Sequence, residues 1–227
     1  MPRSSRPRKT ANRSESVRHR LNMYTLAASA AGVGVLALDL PSEAKIIYTP
    51  THRVIAVNSR YRLDLNHDGS TDFTIHNSRS CPNEVCLLSL SLKPAPPNSA
   101  VGYKSDSSRV RNESALRAGV RVGPGDVFQK GKGRMVAGDY FSMTGLSGPW
   151  ADVKNRYLGL SFVIKGKRHY GWARLTVGSA QGAITATLTG YAYETIPNKP
   201  IIAGKTKGAD DNAKQPATLG RLALGRK

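Results

Sequence analysis

A chain of 227 residues with 39% hydrophobic content can bury the core of one moderate domain and still carry terminal extensions. Its formal charge of +19 points to anionic partners, or serves solubility alone. The sequence lacks helix-turn-helix, zinc-finger and aromatic ribonucleoprotein signatures, which argues against specific nucleic-acid recognition.

The first twenty residues are basic, and Leu21 to Leu38 is uncharged and rich in Ala, Gly, Leu and Val. Ser42-Glu43-Ala44 then places small residues at the two positions a signal peptidase reads. Residues 1–44 therefore read as a secretory signal peptide of the Sec type, with Lys45 as the expected mature start and a secreted, periplasmic or extracellular address. The alternative is a retained transmembrane anchor, since the apolar run approaches spanning length; its many small residues make it weakly hydrophobic, and cleavage would leave no stable membrane insertion. The leader holds seven basic and three acidic side chains, which leaves +15 on residues 45–227.

From Lys45 onward, strand-like segments alternate with Gly, Pro, Asn and Ser clusters, and helical periodicity is nearly absent. Ile46 to Tyr48 and Val54 to Val57 are short strand candidates. Tyr61 to Leu65 and Phe73 to His76 alternate polar and apolar residues around an oxygen-rich loop, Asp64-Leu65-Asn66-His67-Asp68-Gly69-Ser70-Thr71-Asp72. Oxygen donors at alternate positions, with Gly69 where the backbone must curl, suit a hard divalent cation such as Ca2+. Asp64, Asn66, Asp68 and Asp72 would supply side-chain oxygens and Ser70 its carbonyl, while His67 points outward as a solvated residue. Ile75 occupies the place of the bidentate Glu of an EF-hand, and the flanks are strands, so the expected unit is strand-loop-strand. The other reading is an Asx-rich turn without metal, although three unpaired carboxylates would then repel one another.

Cys81 and Cys86, the only cysteines, read as one local disulfide; a zinc site would need two further ligands of suitable spacing. Val85 to Leu92 is a strand with Val85, Leu87, Leu88, Leu90 and Leu92 as burial candidates, and the prolines of Lys93 to Asn98 make a loop. Val101 to Val136 is the least legible stretch, with one or two helical turns allowed in Ser114 to Arg121 and turns at Gly123-Pro124-Gly125-Asp126 and Gly131 to Gly133. Tyr157 to Ile164, Arg168 to Val177 and Ala183 to Glu194 form an antiparallel meander, turned first at Lys165-Gly166-Lys167. Its apolar face carries Leu158, Leu160, Phe162, Ile164, Gly171, Ala173, Leu175, Val177, Ile184, Ala186, Leu188, Gly190 and Ala192.

Covering that face with the earlier strands gives an all-β, two-sheet antiparallel sandwich of jelly-roll or lectin-like type over residues 45–204, followed by a disordered basic tail over 205–227. Tyr170, Trp172, Arg174, Tyr191 and Tyr193 fall on the opposite face, where flat aromatics beside a guanidinium suit stacked sugar rings. The other reading makes these aromatics core. No nucleophile motif appears, and Glu84, Glu113, Asp126, Asp139, Asp152 and Glu194 show no catalytic pairing, so hydrolase activity is the least favoured expectation.

The D-x-[DN]-x-D-G-x-x-D loop resembles the calcium loops of FG-GAP-type adhesion repeats, here in a single copy. The leader, Lys45-Ile46-Ile47-Tyr48-Thr49-Pro50, the loop, NRYLGLSF through HYGWARLTV, and GYAYETIPNKPIIAG together resemble a family of uncharacterised bacterial secreted proteins, some with a Pro-Glu-Pro sorting tail that this chain does not show. The resemblance implies an exported domain without assigning an activity. The expected function is a secreted, non-catalytic, calcium-stabilised domain binding glycan; the alternatives are a structural envelope or matrix protein held by an anionic envelope polymer, and a secreted polysaccharide hydrolase.

Overall fold

The computed structural model describes residues 45–82, 85–105, 109–139 and 145–208; the expected leader and the tail beyond residue 208 lie outside the described residues. The described residues are all-β, with thirteen strands and no α-helix. In chain order these are β1 (Ile46–Val54), β2 (Ser59–Leu63), β3 (Phe73–Ser80), β4 (Leu87–Pro94), β5 (Ser99–Lys104), β6 (Arg111–Glu113), β7 (Arg121–Val122), β8 (Phe128–Gln129), β9 (Gly133–Asp139), β10 (Val153–Ile164), β11 (Lys167–Ala180), β12 (Ala183–Glu194) and β13 (Ile201–Ile202).

Eleven strands form one curled sheet in the order β1-β12-β11-β10-β5-β6-β9-β4-β3-β2, with β8 added beside β5, and β13 pairs with β7 in a second, two-stranded sheet. All pairings are antiparallel except β6 with β9, which makes the large sheet mixed. Strand β5 joins two wings, pairing with β10 on one side and β6 on the other. The wings share one buried cluster: Leu63, Phe73, Ile75, Leu90, Leu92 and Val136 come from one, Leu158, Leu160, Phe162, Ala173, Leu175 and Leu188 from the other. Burying two apolar faces against each other is the cheapest way to remove both from water, and each fully buried Leu or Phe contributes about 1.5–3 kcal/mol.

The meander has the expected faces over most of its length. Leu158 opposes Ala173 and Leu160 opposes Gly171, and the β10–β11 connection is the pair Lys165 and Gly166, both in the left-handed region that a two-residue hairpin with native twist requires. The third strand departs from the expectation. Arg174 pairs with Gly190 but Leu175 with Leu188, so Thr189 is an extra residue, a β-bulge. One inserted residue exchanges the faces of everything beyond it. Tyr191 and Tyr193 therefore share the face of Ala173 and Gly171, while Gly190 and Ala192 join Arg174 and Trp172.

Other boundaries moved as well. Strand β1 runs continuously to Val54 and Val57 lies in a turn; β4 begins at Leu87 and continues through Pro94. Val85 and Leu87 are exposed, at 42% and 52%, because alternation gives the inward positions of β4 to Leu88, Leu90 and Leu92. Ser114 to Arg121 forms no helix, and the stretch from Val101 to Val136 builds β5 to β9 from very short strands whose pairing depends on distant partners.

Candidate functional site

Leu63 pairs with Phe73 and closes a loop of residues 64–72 at the end of the β2–β3 hairpin. Leu65 anchors the loop: it is 1% exposed and sits over Gly171, where an added Cβ would come within 2.8 Å of Leu65 Cδ2. Gly171 is needed for that close approach. His67 and Gly69 both adopt left-handed backbone, at φ 60° and 87°, which curls the chain and turns its amides inward.

Those amides meet carboxylates. Asp64 accepts from the Asp68 amide through Oδ1 at 3.2 Å and from the Gly69 amide through Oδ2 at 2.8 Å. Asp68 accepts from the Ser70 amide at 2.8 Å and from Asn66 Nδ2 at 3.0 Å. Asp72, 8% exposed, accepts from the Leu65 amide at 2.8 Å and from Asn98 Nδ2 at 3.1 Å, and Asn98 Oδ1 in turn accepts from the Val163 amide at 3.2 Å. The loop is thereby tied to the β4–β5 connection and to β10.

Hydrogen bonds from Asn66 and Ser70 hold the Asp68 carboxyl below its ordinary range. Burial pushes Asp72 up, its hydrogen bonds oppose this, and the negative charges of Asp68 and Asp64 add to the rise. Among the described residues, no group of three or more His, Cys, Asp or Glu side chains converges as a metal cage. The donor set still fits a hard cation on one structural observation: Asn66 Oδ1, the third-position oxygen, is buried and has no hydrogen-bond partner. Ser70 contributes its amide to Asp68 and its residue is exposed.

His67 is exposed, as expected, but it is not a bystander. Its Nε2 lies 3.0 Å from Thr49 Oγ1 and 3.4 Å from the Tyr191 hydroxyl, and its ring packs on Tyr191 at 5.8 Å between centroids. The loop thus grips the β1–β12 edge of the sheet.

The five residues proposed as one aromatic platform do not form one. Tyr170 and Trp172 lie beneath the β7–β13 pair in a second buried cluster with Ile46, Val122, Tyr157 and Ile201. Trp172 is wholly buried, its indole set edge-on to Tyr157 at 5.2 Å, and its Nε1 donates to the Lys205 carbonyl at 3.3 Å. Arg174 donates to Thr189 Oγ1 at 2.8 Å and to the Thr189 carbonyl at 3.1 Å, which ties it to the bulge. Tyr191 is 6% exposed on the opposite face, and the ring of the half-buried Tyr193 stands edge-on to Phe162. The bulge, whose one local signal is the isolated Gly190, and the small second sheet, built from distant segments, account for the correction.

Cys81 and Cys86 are joined by a disulfide across the β3–β4 connection. Of the acidic residues outside the loop, Glu113 is fully buried and Glu194 is 3% exposed, the latter 3.7 Å from Lys199. No family model, curated protein or solved structure matches the chain.

Proposed function

We propose that this chain is an exported, non-catalytic domain whose two wings pack as a sandwich, whose β2–β3 loop is stapled by calcium, and which attaches to an anionic polymer of the envelope or matrix. The observation that carries the calcium reading is Asn66 Oδ1, a buried oxygen without a partner in a loop that also gathers Asp64, Asp68 and Asp72. Asp64, Asn66, Asp68 and Asp72 would hold the ion by side-chain oxygens and Ser70 by its carbonyl. Bound calcium would supply charge neutralisation and would fix the loop against Tyr191 and Asn98; it has no chemical step to perform in this reading.

Attachment to a polyanion is favoured over sugar stacking on the meander because Trp172 and Tyr170 are buried while cations such as Arg60, Arg62, Lys93 and Lys132 are exposed. The test is a thermal melt of the purified chain in millimolar calcium and in chelator. A rise in midpoint with calcium but not with magnesium supports the staple, and identical melts remove it.

A further inference from the structure

In the wing opposite the meander, the face that turns away from the shared core carries a row of cross-strand neighbours, continuous through the β-bulge between Leu90 and Ser91 on the β4–β9 pairing. Arg60 opposes His76, His76 opposes Ser91, Ser91 opposes Arg134, Arg134 lies beside Asn112, and Asn112 opposes Tyr103. Directly paired residues stand on the same face of a sheet, so this single row crosses β2, β3, β4, β9, β6 and β5. Six strands at the usual spacing give it a length of about 24 Å. Two residues along the strands, Arg62, Thr74 and Lys93 form a parallel row.

Cations crowd the row. Arg111 and Lys132 stand beside Arg134 and, with Ser89, Ser91 and Arg109, line a shallow cavity of about 340 Å³. Arg134 donates through Nε to Asn112 Oδ1 at 3.1 Å, which fixes the plane of its guanidinium, and the Arg111 guanidinium lies against Gly131. His76 senses the crowding: burial first, then the charges of Arg60 and Lys132, hold its imidazole below the ordinary range.

Among the described residues, none of the paired positions in these two rows is a carboxylate. The ion pair of Lys199 with Glu194 lies on the other wing. Glu113, next to Asn112, is turned inward and fully buried, and Asp139 pairs opposite Leu87 at the far end of β9. Like charges set side by side on a rigid sheet repel one another, which a bound polyanion relieves.

The occupant's chemistry follows from what separates the charges. Hydroxyl groups on the half-buried Thr74, Ser78 and Ser89 stand among the cations, Ser91 and Asn112 are buried at 4% and 3% and support the row from beneath, and one aromatic, Tyr103 at 49% exposure, closes it. A single-stranded nucleic acid would use aromatics under successive bases, and a membrane would need an apolar wedge; the row offers neither. Carboxylates spaced along a chain of hydroxyl-bearing rings match cations spaced among hydroxyls, with Tyr103 free to stack one ring.

Resting on the polyanion reading above, we propose that the Arg60-His76-Ser91-Arg134-Asn112-Tyr103 row is the binding track for a linear acidic polysaccharide of the uronate type. The test titrates the full chain with polygalacturonate, with neutral dextran of the same length, and with polyphosphate and oligo-dT. Arg60→Gln/Lys93→Gln/Lys132→Gln removes three exposed charges from the track, and Arg53→Gln/Lys154→Gln/Lys205→Gln removes three exposed charges elsewhere. The track variant is expected to bind polygalacturonate at least about tenfold more weakly and the control within about twofold, since screened surface charges act chiefly within a Debye length. Tyr103→Ala is expected to weaken binding about fivefold without changing its salt dependence.

Equal losses in both triple variants would overturn the track and leave general polyanion attachment standing. Tighter binding of polyphosphate or oligo-dT than polygalacturonate would overturn the uronate assignment. Wild-type protein that binds none of the anionic polymers would sink the attachment reading itself.

Discussion

The side chain of Glu113 occupies the space in which residue 133 would carry a Cβ, so that any side chain at Gly133 would overlap Glu113 Oε1. Neither carboxyl oxygen of Glu113 has a hydrogen-bond partner among the described residues, and the residue is fully buried. Burial pushes its pKa from the ordinary 4.5 up to about 8, against a smaller opposing effect of the Arg111 charge. The folded chain therefore keeps a proton that the unfolded chain releases. Stability is greatest below about pH 4.5 as far as this group is concerned, and declines as pH rises toward 8. The slope approaches about 1.4 kcal/mol per pH unit in that window. Urea midpoints of Glu113→Gln should lose this slope and exceed those of the wild type at pH 8; a wild-type profile already flat from pH 5 to 8 would contradict the assignment.

Asn66→Ala separates the calcium staple from loop folding. The substitution deletes the unpartnered Oδ1 and one surface hydrogen bond to Asp68, so the calcium-free melt should shift by less than about 1 kcal/mol. Calcium affinity should fall at least about tenfold, measured by isothermal titration. An unchanged affinity would remove Asn66 from the ligand set.

Asn98 couples the loop to the sheet at two points, donating to Asp72 and accepting from the Val163 amide. Asn98→Ala leaves the part-buried Val163 amide without its acceptor and takes one of two donors from the buried Asp72, which keeps the Leu65 amide, at a cost of about 1–3 kcal/mol. Amide exchange should then accelerate at Leu65 and Val163 together, while β12 remains protected.

Trp172→Ala should behave as a core deletion. With the indole wholly enclosed and bonded to the Lys205 carbonyl, the cost is about 3–5 kcal/mol in chemical denaturation. Polygalacturonate affinity, measured below the melting transition, should stay within about twofold of the wild type, because the residue lies on the wing that does not carry the basic row.

His76 offers a spectroscopic readout of the track. Its imidazole is held low by burial and by Arg60 and Lys132, and a carboxylate placed among those cations would offset their charge. Its titration midpoint, followed by NMR, should rise on adding polygalacturonate and stay fixed with dextran.

Local pattern carried the all-β class, the meander and the limits of the acidic loop, because strand alternation and turn chemistry act over a few neighbouring residues. Alternation in β10 and β11 named the inward side chains correctly from Leu158 to Phe162 and from Ala173 to Val177. It failed beyond Thr189, because one inserted residue reverses the period, and alternation counts the isolated Gly190, the local signal that a strand is bulged, as an ordinary inward position. The grip of His67 on Thr49 and Tyr191, and that of Asn98 on Asp72, join residues far apart in the chain and could not be read from spacing.

Residue order alone set the strands, the charge and the oxygen-rich loop, since each depends on short-range sterics and composition. Which aromatic faces are covered, and which basic side chains stand in one line, were decided by the tertiary structure. Strand order placed β4 between β3 and β9, and the β7–β13 pair closed over Trp172. Burial and cross-strand register arise from pairings between distant segments, so the same arginines and tryptophan acquire opposite roles only once the sheet has curled.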